Sequence, residues 1–105
     1  MNEGLKQLEE ALNKETDTRT RLLTLKFKLD TLYSKLYLED RGAQTQEGKK
    51  LYTEKEIESR ITITPEYAEI YQQHINVIAE HDHSKASVEI LRNQIAFELK
   101  ETKNE

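Results

Sequence analysis

The chain has 105 residues, of which 35% are hydrophobic and 34% are charged, and its formal net charge is −4. This is the length of one domain with little apolar material for a large core, so we predict a single helical domain that buries narrow apolar stripes. The chain has no cysteine, which excludes disulfides, thiolate metal sites and cysteine nucleophiles.

The residues that break regular backbone are confined to one window. Apart from one glycine near the N-terminus, they are Gly42, Gly48 and Pro65. Because glycine and proline interrupt helices, we predict two long helices, over residues 5–40 and 65–102. The expected fold class is all-α, with the two helices in a hairpin or coiled-coil arrangement.

Leucines in the first long helix recur at alternating steps of three and four residues. The longer run is Leu22, Leu25, Leu29, Leu32 and Leu36. This spacing is typical of a coiled-coil seam, and Glu15 and Arg19 interrupt the seam before the run. The sequence is compatible with one continuous helix or with a new helix that starts near Asp17 or Thr18.

The segment between the two long helices gives mixed signals. Residues 41–52 are polar and contain glycine, which predicts a flexible loop. Thr53 and Glu56 match a capping box, so residues 53–64 are expected to form a short ordered element that begins as a helix. Alternating β-branched residues at the end of this element favour a strand instead, and the sequence leaves both alternatives open.

Thr64 and Pro65 mark the start of the second long helix, with threonine at the N-cap and proline at the first helical position. Seams this thin give two helices little stability alone, so we expect a homo-oligomer that forms through the five leucines above and through one face of the second helix. The interface residues predicted on that face are Ile70, Val77, Val88, Leu91 and Ile95.

The sequence predicts no metal site, no other cofactor and no enzymatic activity. His81 and His83 point to different faces of a helix, and His74 lies about 10 Å along the axis from His81, so one chain does not gather them around an ion. Polar histidines of a helical seam are the simpler interpretation. The sequence also lacks the GxGxxG, GxxxxGK and HExxH patterns, and its acids are spread along helix faces.

Basic and aromatic residues are interleaved in the middle of the chain. Phe27, Tyr33 and Tyr37 lie among lysines and arginines that outnumber the acids over residues 19–60. Basic side chains neutralise phosphates and aromatic rings stack on unpaired bases, so the pattern favours binding of single-stranded nucleic acid. The candidate residues are Arg19, Arg21, Lys26, Lys28, Lys35, Arg41, Lys49 and Lys50. The alternative is that the aromatic rings pack in a helical interface and the lysines solvate it.

Four segments carry a resemblance to a known family. They are Leu25-Lys-Phe-Lys-Leu-Asp-Thr-Leu-Tyr33, the break at Arg41-Gly42, Lys55-Glu-Ile-Glu-Ser-Arg-Ile61, and Ile90-Leu-Arg-Asn-Gln-Ile-Ala-Phe97. Their order resembles that of the UvsY-type recombination mediators of tailed phages, small helical proteins that assemble into rings and help a recombinase load on single-stranded DNA.

The resemblance implies a ring of identical subunits and contact with a recombinase or a single-strand-binding protein. The residues that it assigns to DNA contact are Lys26, Lys28 and Arg41, with Lys35, Lys49 and Lys50 as additions. We expect a cytoplasmic protein, of a bacterial host if phage-encoded, with no membrane span and no small-molecule substrate. The alternative function is a structural or adaptor coiled coil, such as a phage assembly or scaffold factor, that binds proteins only.

Overall fold

Three helices make up most of the chain. The computed structural model describes residues 2–104, with side chains described over residues 3–101. Within that range the helices are α1 (Asn2–Gly42), α2 (Glu54–Thr62) and α3 (Pro65–Asn104). The prediction of an all-α fold with two long helices and a shorter element between them is confirmed.

Helix α1 is continuous through the polar stretch at residues 13–21, so no new helix starts at Asp17 or Thr18. The side chain of Thr16 hydrogen-bonds within the helix, since its hydroxyl donates to the Leu12 carbonyl at 3.0 Å. Such a bond to the carbonyl four residues earlier accommodates a polar side chain without ending the helix.

The chain divides into two compact units, and the first contains α1 up to Leu22 and α3 from Asn76. The two helices are antiparallel in this unit, because Gly4 lies beside Ile95 whereas Thr18, further along α1, contacts a residue earlier in α3. Two apolar and two polar side chains are buried in it: Thr18, Val77, Ser84 and Val88.

A buried hydroxyl connects the two helices of the first unit. Thr18 is 1% exposed, and its Oγ1 lies 2.8 Å from Nδ1 of His81 and 3.0 Å from the carbonyl oxygen of Glu15. A hydroxyl has only one hydrogen, so both bonds form when Thr18 donates to Glu15 and accepts from a protonated Nδ1 of His81. His81 thus pairs within the chain.

The second unit contains α1 from Leu23, the whole of α2, and α3 up to Ile75. Its most buried side chains come from α1 and α2, and they are Leu25, Leu29, Ile57 and Ile61. Ile57 and Ile61 are four residues apart and therefore lie on one face of α2. Each is only 1% exposed, so this short helix is a full part of the core.

Helix α2 begins at the predicted capping residues. The backbone N–H of Glu56 donates to Oγ1 of Thr53 at 3.2 Å, and the Thr53 hydroxyl donates to Oε1 of Glu56 at 3.0 Å. The helical alternative for this element is the one observed. Ile61 and Ile63 would share one face of a strand, but Ile61 is 1% exposed and Ile63 is 77% exposed, which fits a helix and not a strand.

Side-chain bonds attach α2 to the end of α1. Nε of Arg60 donates to Oδ2 of Asp40 at 2.9 Å, and the Tyr37 hydroxyl donates to Oε2 of Glu54 at 2.7 Å. The Arg60 guanidinium also lies 4.1 Å from the centroid of the Tyr52 ring. Each end of α2 is therefore fixed by a polar contact.

The loop after α1 is a hydrogen-bonded turn and not an open coil. Gln44 and Lys50 form an antiparallel bridge, and the backbone N–H of Thr45 donates to the Lys49 carbonyl at 2.8 Å. Gly48 has a φ of 81°, in the left-handed region that glycine adopts without strain. This turn presents its two lysines to solvent.

Helix α3 begins at Pro65, as predicted, but Thr64 contributes differently from expectation. Its hydroxyl donates to the carbonyl of Arg60 at 2.9 Å, while its own carbonyl accepts from the backbone N–H of Ala68 at 2.9 Å. Only Ile63 and Thr64 separate α2 from α3. Because the connection is so short, the Thr64 side chain hydrogen-bonds to the last turn of α2, while its backbone carbonyl accepts a hydrogen bond from the first turn of α3.

The residues predicted to join subunits contribute to packing within one chain. Leu25, Leu29, Val77 and Val88 are buried. The half-buried members are Leu22, Leu32, Leu36, Ile70, Leu91 and Ile95. A role for these residues between copies of the chain stays a prediction.

Candidate nucleic-acid interface

A cleft in the second unit combines two lysines with an exposed aromatic ring. Helix α1 contributes five of its lining residues and α3 contributes two: Phe27, Lys28, Thr31, Leu32, Lys35, Glu66 and Ile70. We call these residues the basic cleft. Lys28 and Lys35 are both exposed, and they lie two helical turns apart, about 10 Å along the axis.

Phe27 is exposed because of its position on α1. It is two residues from Leu25 and two residues from Leu29, which places it about 200° around the helix from either buried leucine. Its side chain is 72% exposed. Lys26 and Lys28, which flank it, are exposed as well, so the ring lies on the surface with a cation on each side.

The tyrosines near the cleft are packed against one another. Tyr33 stacks on Tyr37 with ring centroids 6.4 Å apart, and it lies 6.2 Å from Tyr67. Tyr67 in turn stacks on Tyr71 at 6.2 Å. Offset and edge-to-face pairs at these distances stabilise a core. Tyr33 and Tyr37 therefore contribute to the packing of this unit, which agrees with the alternative that the aromatic rings pack in a helical interface.

Two of these phenols hold their protons more tightly than usual. The pKa of Tyr37 is raised above 10.0, mainly by the hydrogen bond to the Glu54 carboxylate and to a smaller extent by partial desolvation. The pKa of Tyr67 is also raised above 10.0, mainly by burial and to a smaller extent by the neighbouring phenol of Tyr33. Both of these phenols are therefore uncharged at neutral pH.

Arg19 and Arg21 lie outside the basic cleft, in the first unit. Nη2 of Arg19 is 2.9 Å from Oε1 of Glu15, and Nη1 of Arg21 is 2.7 Å from Oε2 of Glu80. Both arginines are exposed, but each already faces a carboxylate. The structure does not bring these two candidates together with the lysines of the cleft.

The remaining candidates lie near α2 and the turn. The Arg41 guanidinium lies 6.0 Å from the centroid of the Tyr37 ring, at the edge of the range for a cation–π contact. Lys49 and Lys50 are exposed in the turn. Of the eight basic candidates, Lys28 and Lys35 line the cleft and Lys26 adjoins its aromatic ring.

Sequence reasoning missed the acid in the cleft. Glu66 lies in the first turn of α3, and it lines the cleft together with Lys28 and Lys35. The position of Pro65 at the start of α3 locates Glu66 at the N-terminal end of that helix. Placing it beside two lysines of α1 also requires the register between the helices, which one sequence does not supply.

The described residues contain neither a metal-ligand cluster nor a membrane span. No group of three or more His, Cys, Asp or Glu side chains within them is arranged to hold a metal ion. None of the helices, over its described part, has an apolar run sufficient to cross a bilayer. His74 is half-buried and His83 is exposed.

Comparison of the chain with protein-family models, with curated proteins and with solved structures finds no match.

Proposed function

We propose that the chain is a non-enzymatic protein that binds single-stranded DNA through the basic cleft and acts as a recombination mediator, assisting the loading of a recombinase. The observation that carries the proposal is Phe27, a large aromatic side chain that is 72% exposed and shares its cleft with Lys28 and Lys35. An exposed ring beside cations suits a polymer that offers both unpaired bases and phosphates.

The ring and the lysines have separate tasks in this proposal. Phe27 stacks on one base, a contact that contributes about 1–3 kcal/mol and needs little sequence preference. Lys28 and Lys35 neutralise neighbouring phosphates, and each neutralised phosphate of a single strand contributes about 0.7 to the slope of log affinity against log salt. Bases in a duplex are stacked on one another, so the ring favours single strands.

Glu66 limits the affinity of one chain. Its carboxylate lines the same cleft as the two lysines and opposes the approach of a phosphate, and the whole chain has a net charge of −4. We therefore expect weak binding by a single cleft and a steep loss of binding with salt. Several clefts on one DNA strand would raise the affinity through avidity.

Charge reversal in the cleft tests the proposal. We expect Lys28→Glu combined with Lys35→Glu to abolish binding of a labelled oligothymidine, because two phosphate contacts become repulsive. Fluorescence anisotropy at low salt measures this. The matched control is Lys6→Glu combined with Lys14→Glu, which makes the same charge change at exposed positions of α1 in the first unit.

The control double variant should lose affinity only through the change in net charge, and thus far less than the cleft variant. Equal losses in the two variants would show that the cleft has no special role. Absence of binding by the unmodified chain at low salt would remove the proposed function altogether.

A protein-only adaptor is the second candidate function, and other observations favour it. Tyr33 and Tyr37 pack within the chain, and exposed leucines accompany the lysines on α1, with Leu23 64% and Leu38 66% exposed. An adaptor of this kind binds no oligonucleotide at any salt concentration, so the anisotropy measurement separates the two functions.

A further inference from the structure

Helix α3 has a second apolar stripe on the face that points away from the core of the first unit. Its members alternate at steps of four and three residues: Ala79, His83, Ala86, Ile90, Asn93 and Phe97. All six are exposed, and the two largest, Ile90 and Phe97, are 56% and 63% exposed. We call this stripe the outer seam.

The outer seam is distinct from the buried side of the same helix. Ala79 and Ile90 each lie two residues after a buried valine, Val77 and Val88, which corresponds to a rotation of about 200° around the helix. Helix α3 is thus apolar on two opposite faces, and the first unit covers only one of them. Alternating steps of three and four residues are the pattern by which two helices pack side by side.

A depression in the outer seam has the geometry of a helix-packing hole. Ile90, Asn93, Gln94 and Phe97 line it together with Glu98. The first four are spaced i, i+3, i+4 and i+7, which are the four positions that surround an inserted side chain in knobs-into-holes packing. The surface is therefore shaped to receive a side chain from another helix.

We propose that a second copy of the chain packs on the outer seam, with the two α3 helices antiparallel and related by a two-fold axis at the level of Val88. In this arrangement every layer pairs either a large apolar side chain with an alanine or one polar side chain with another. The layers are of three kinds, each occurring twice because of the two-fold axis: Phe97 on the partner's Ala79, Asn93 on the partner's His83, and Ile90 on the partner's Ala86.

The seam is complementary to itself only in this direction. Antiparallel pairing places each large side chain over an alanine, so side-chain volume is distributed evenly among the layers. It also pairs the two polar residues, His83 and Asn93, which can hydrogen-bond to each other. Parallel pairing would set Phe97 against the partner's Phe97 and alanine against alanine, with crowding in one layer and a void in the next.

The charges on one flank of the seam do not oppose the pairing. One flank carries two acids and two bases in alternation, all exposed: Asp82, Lys85, Glu89 and Arg92. An isologous contact brings this flank against the same flank of the second copy. Equal numbers of each sign leave no net repulsion there, whereas a strongly basic or acidic partner would gain nothing from it.

Single cysteines test the direction of pairing, because the chain has none of its own. We expect His83→Cys chains mixed with Asn93→Cys chains to form a mixed disulfide under mild oxidation. Each variant alone should form little, since antiparallel pairing holds the two copies of position 83 about 15 Å apart along the axis and disulfides need Cα atoms within about 7 Å. Both substitutions leave the apolar layers intact.

Self-linking of Asn93→Cys as fast as the mixed reaction would establish parallel pairing and overturn the proposal. Absence of any disulfide in the mixture, at concentrations where the unmodified chain is a dimer, would place the contact elsewhere and overturn it as well.

Sedimentation velocity tests whether the seam is the contact surface. We expect Ile90→Asp to weaken dimerisation at least tenfold. The control Ile63→Asp places the same charge on an isoleucine that is 77% exposed and outside the seam, and it should leave the dimer unchanged. Far-UV circular dichroism verifies that both variants stay helical. A monomeric unmodified chain, or equal losses in the two variants, would contradict the proposal. Neither measurement involves DNA, so a result against pairing through the outer seam is distinct from a result against the proposed function.

Discussion

Thr18 is a polar side chain in the core of the first unit, and its hydroxyl has two partners. It is 1% exposed and lies 2.8 Å from Nδ1 of His81. Because a wrong register would leave the imidazole of His81 without this partner, the pair contributes specificity to the pairing of the two helices.

Replacing the hydroxyl by a methyl group isolates this contribution. We expect Thr18→Val to lower the free energy of unfolding by about 1–3 kcal/mol, since a half-buried imidazole loses its partner. Thr16→Val is the matched control, because Thr16 is exposed and bonds only to a carbonyl of its own helix turn. Urea denaturation of both variants measures the difference, and equal effects would show that the contact to His81 contributes nothing.

Tyr37 and Tyr67 link stability to alkaline pH. Their pKa values in the folded chain lie above 10.0, so the native state binds these protons more tightly than the unfolded chain does. That contribution to stability is complete below pH 10 and is lost as the pH rises through the folded-state pKa values. We expect the free energy of unfolding to decline in that alkaline window.

The hydrogen bond to the Glu54 carboxylate is the main cause of the raised pKa of Tyr37. We therefore expect Glu54→Gln to lower the pKa of Tyr37 toward 10.0, which phenolate absorbance during an alkaline titration detects among the five tyrosines. Glu58→Gln is the control, with the same charge change at an exposed position of α2. An unchanged titration in Glu54→Gln would contradict the assigned hydrogen bond.

At the scale of elements, α2 is short but contributes strongly to the core. We expect Ile61→Ala to lower the free energy of unfolding by about 2–5 kcal/mol, because its side chain is 1% exposed and leaves a cavity. Ile63→Ala should change it by less than about 0.5 kcal/mol, since Ile63 is 77% exposed. Thermal denaturation compares the two, and similar losses would show that α2 does not pack as described.

The sequence was sufficient for the helices because their signals are local. Thr53 with Glu56 and Thr64 with Pro65 depend on neighbours within four residues, and both predicted the right starting points. The side-chain role of Thr64 was wrong in detail, because it depends on how little chain separates two helices. Non-local features such as the pairing of Thr18 with His81 needed the register between helices.

The candidate site was predictable only in part for the same reason. Phe27 and its flanking lysines are adjacent in sequence, so their shared exposure follows from the spacing of the buried leucines. That Glu66 lines the cleft and that Arg21 pairs with Glu80 are contacts between residues distant in sequence. Both depend on the register between α1 and α3, which one sequence does not supply.

At the scale of the whole molecule, the two proposals use different surfaces. The basic cleft lies in the second unit and the outer seam lies in the first. Pairing through the outer seam therefore uses no residue of the basic cleft, and one DNA strand that reaches two clefts gains avidity. The lysines of the turn, Lys49 and Lys50, add exposed charge in the second unit without lining the cleft.

Mapping the DNA contact by NMR tests most directly whether the basic cleft binds DNA, using backbone amide shifts of the isotopically labelled chain titrated with oligothymidine. We expect the largest shift changes on Phe27, Lys28 and Lys35 and on residues around Ile70. Shift changes concentrated in the turn at Lys49, confined to the first unit, or absent at low salt would contradict it.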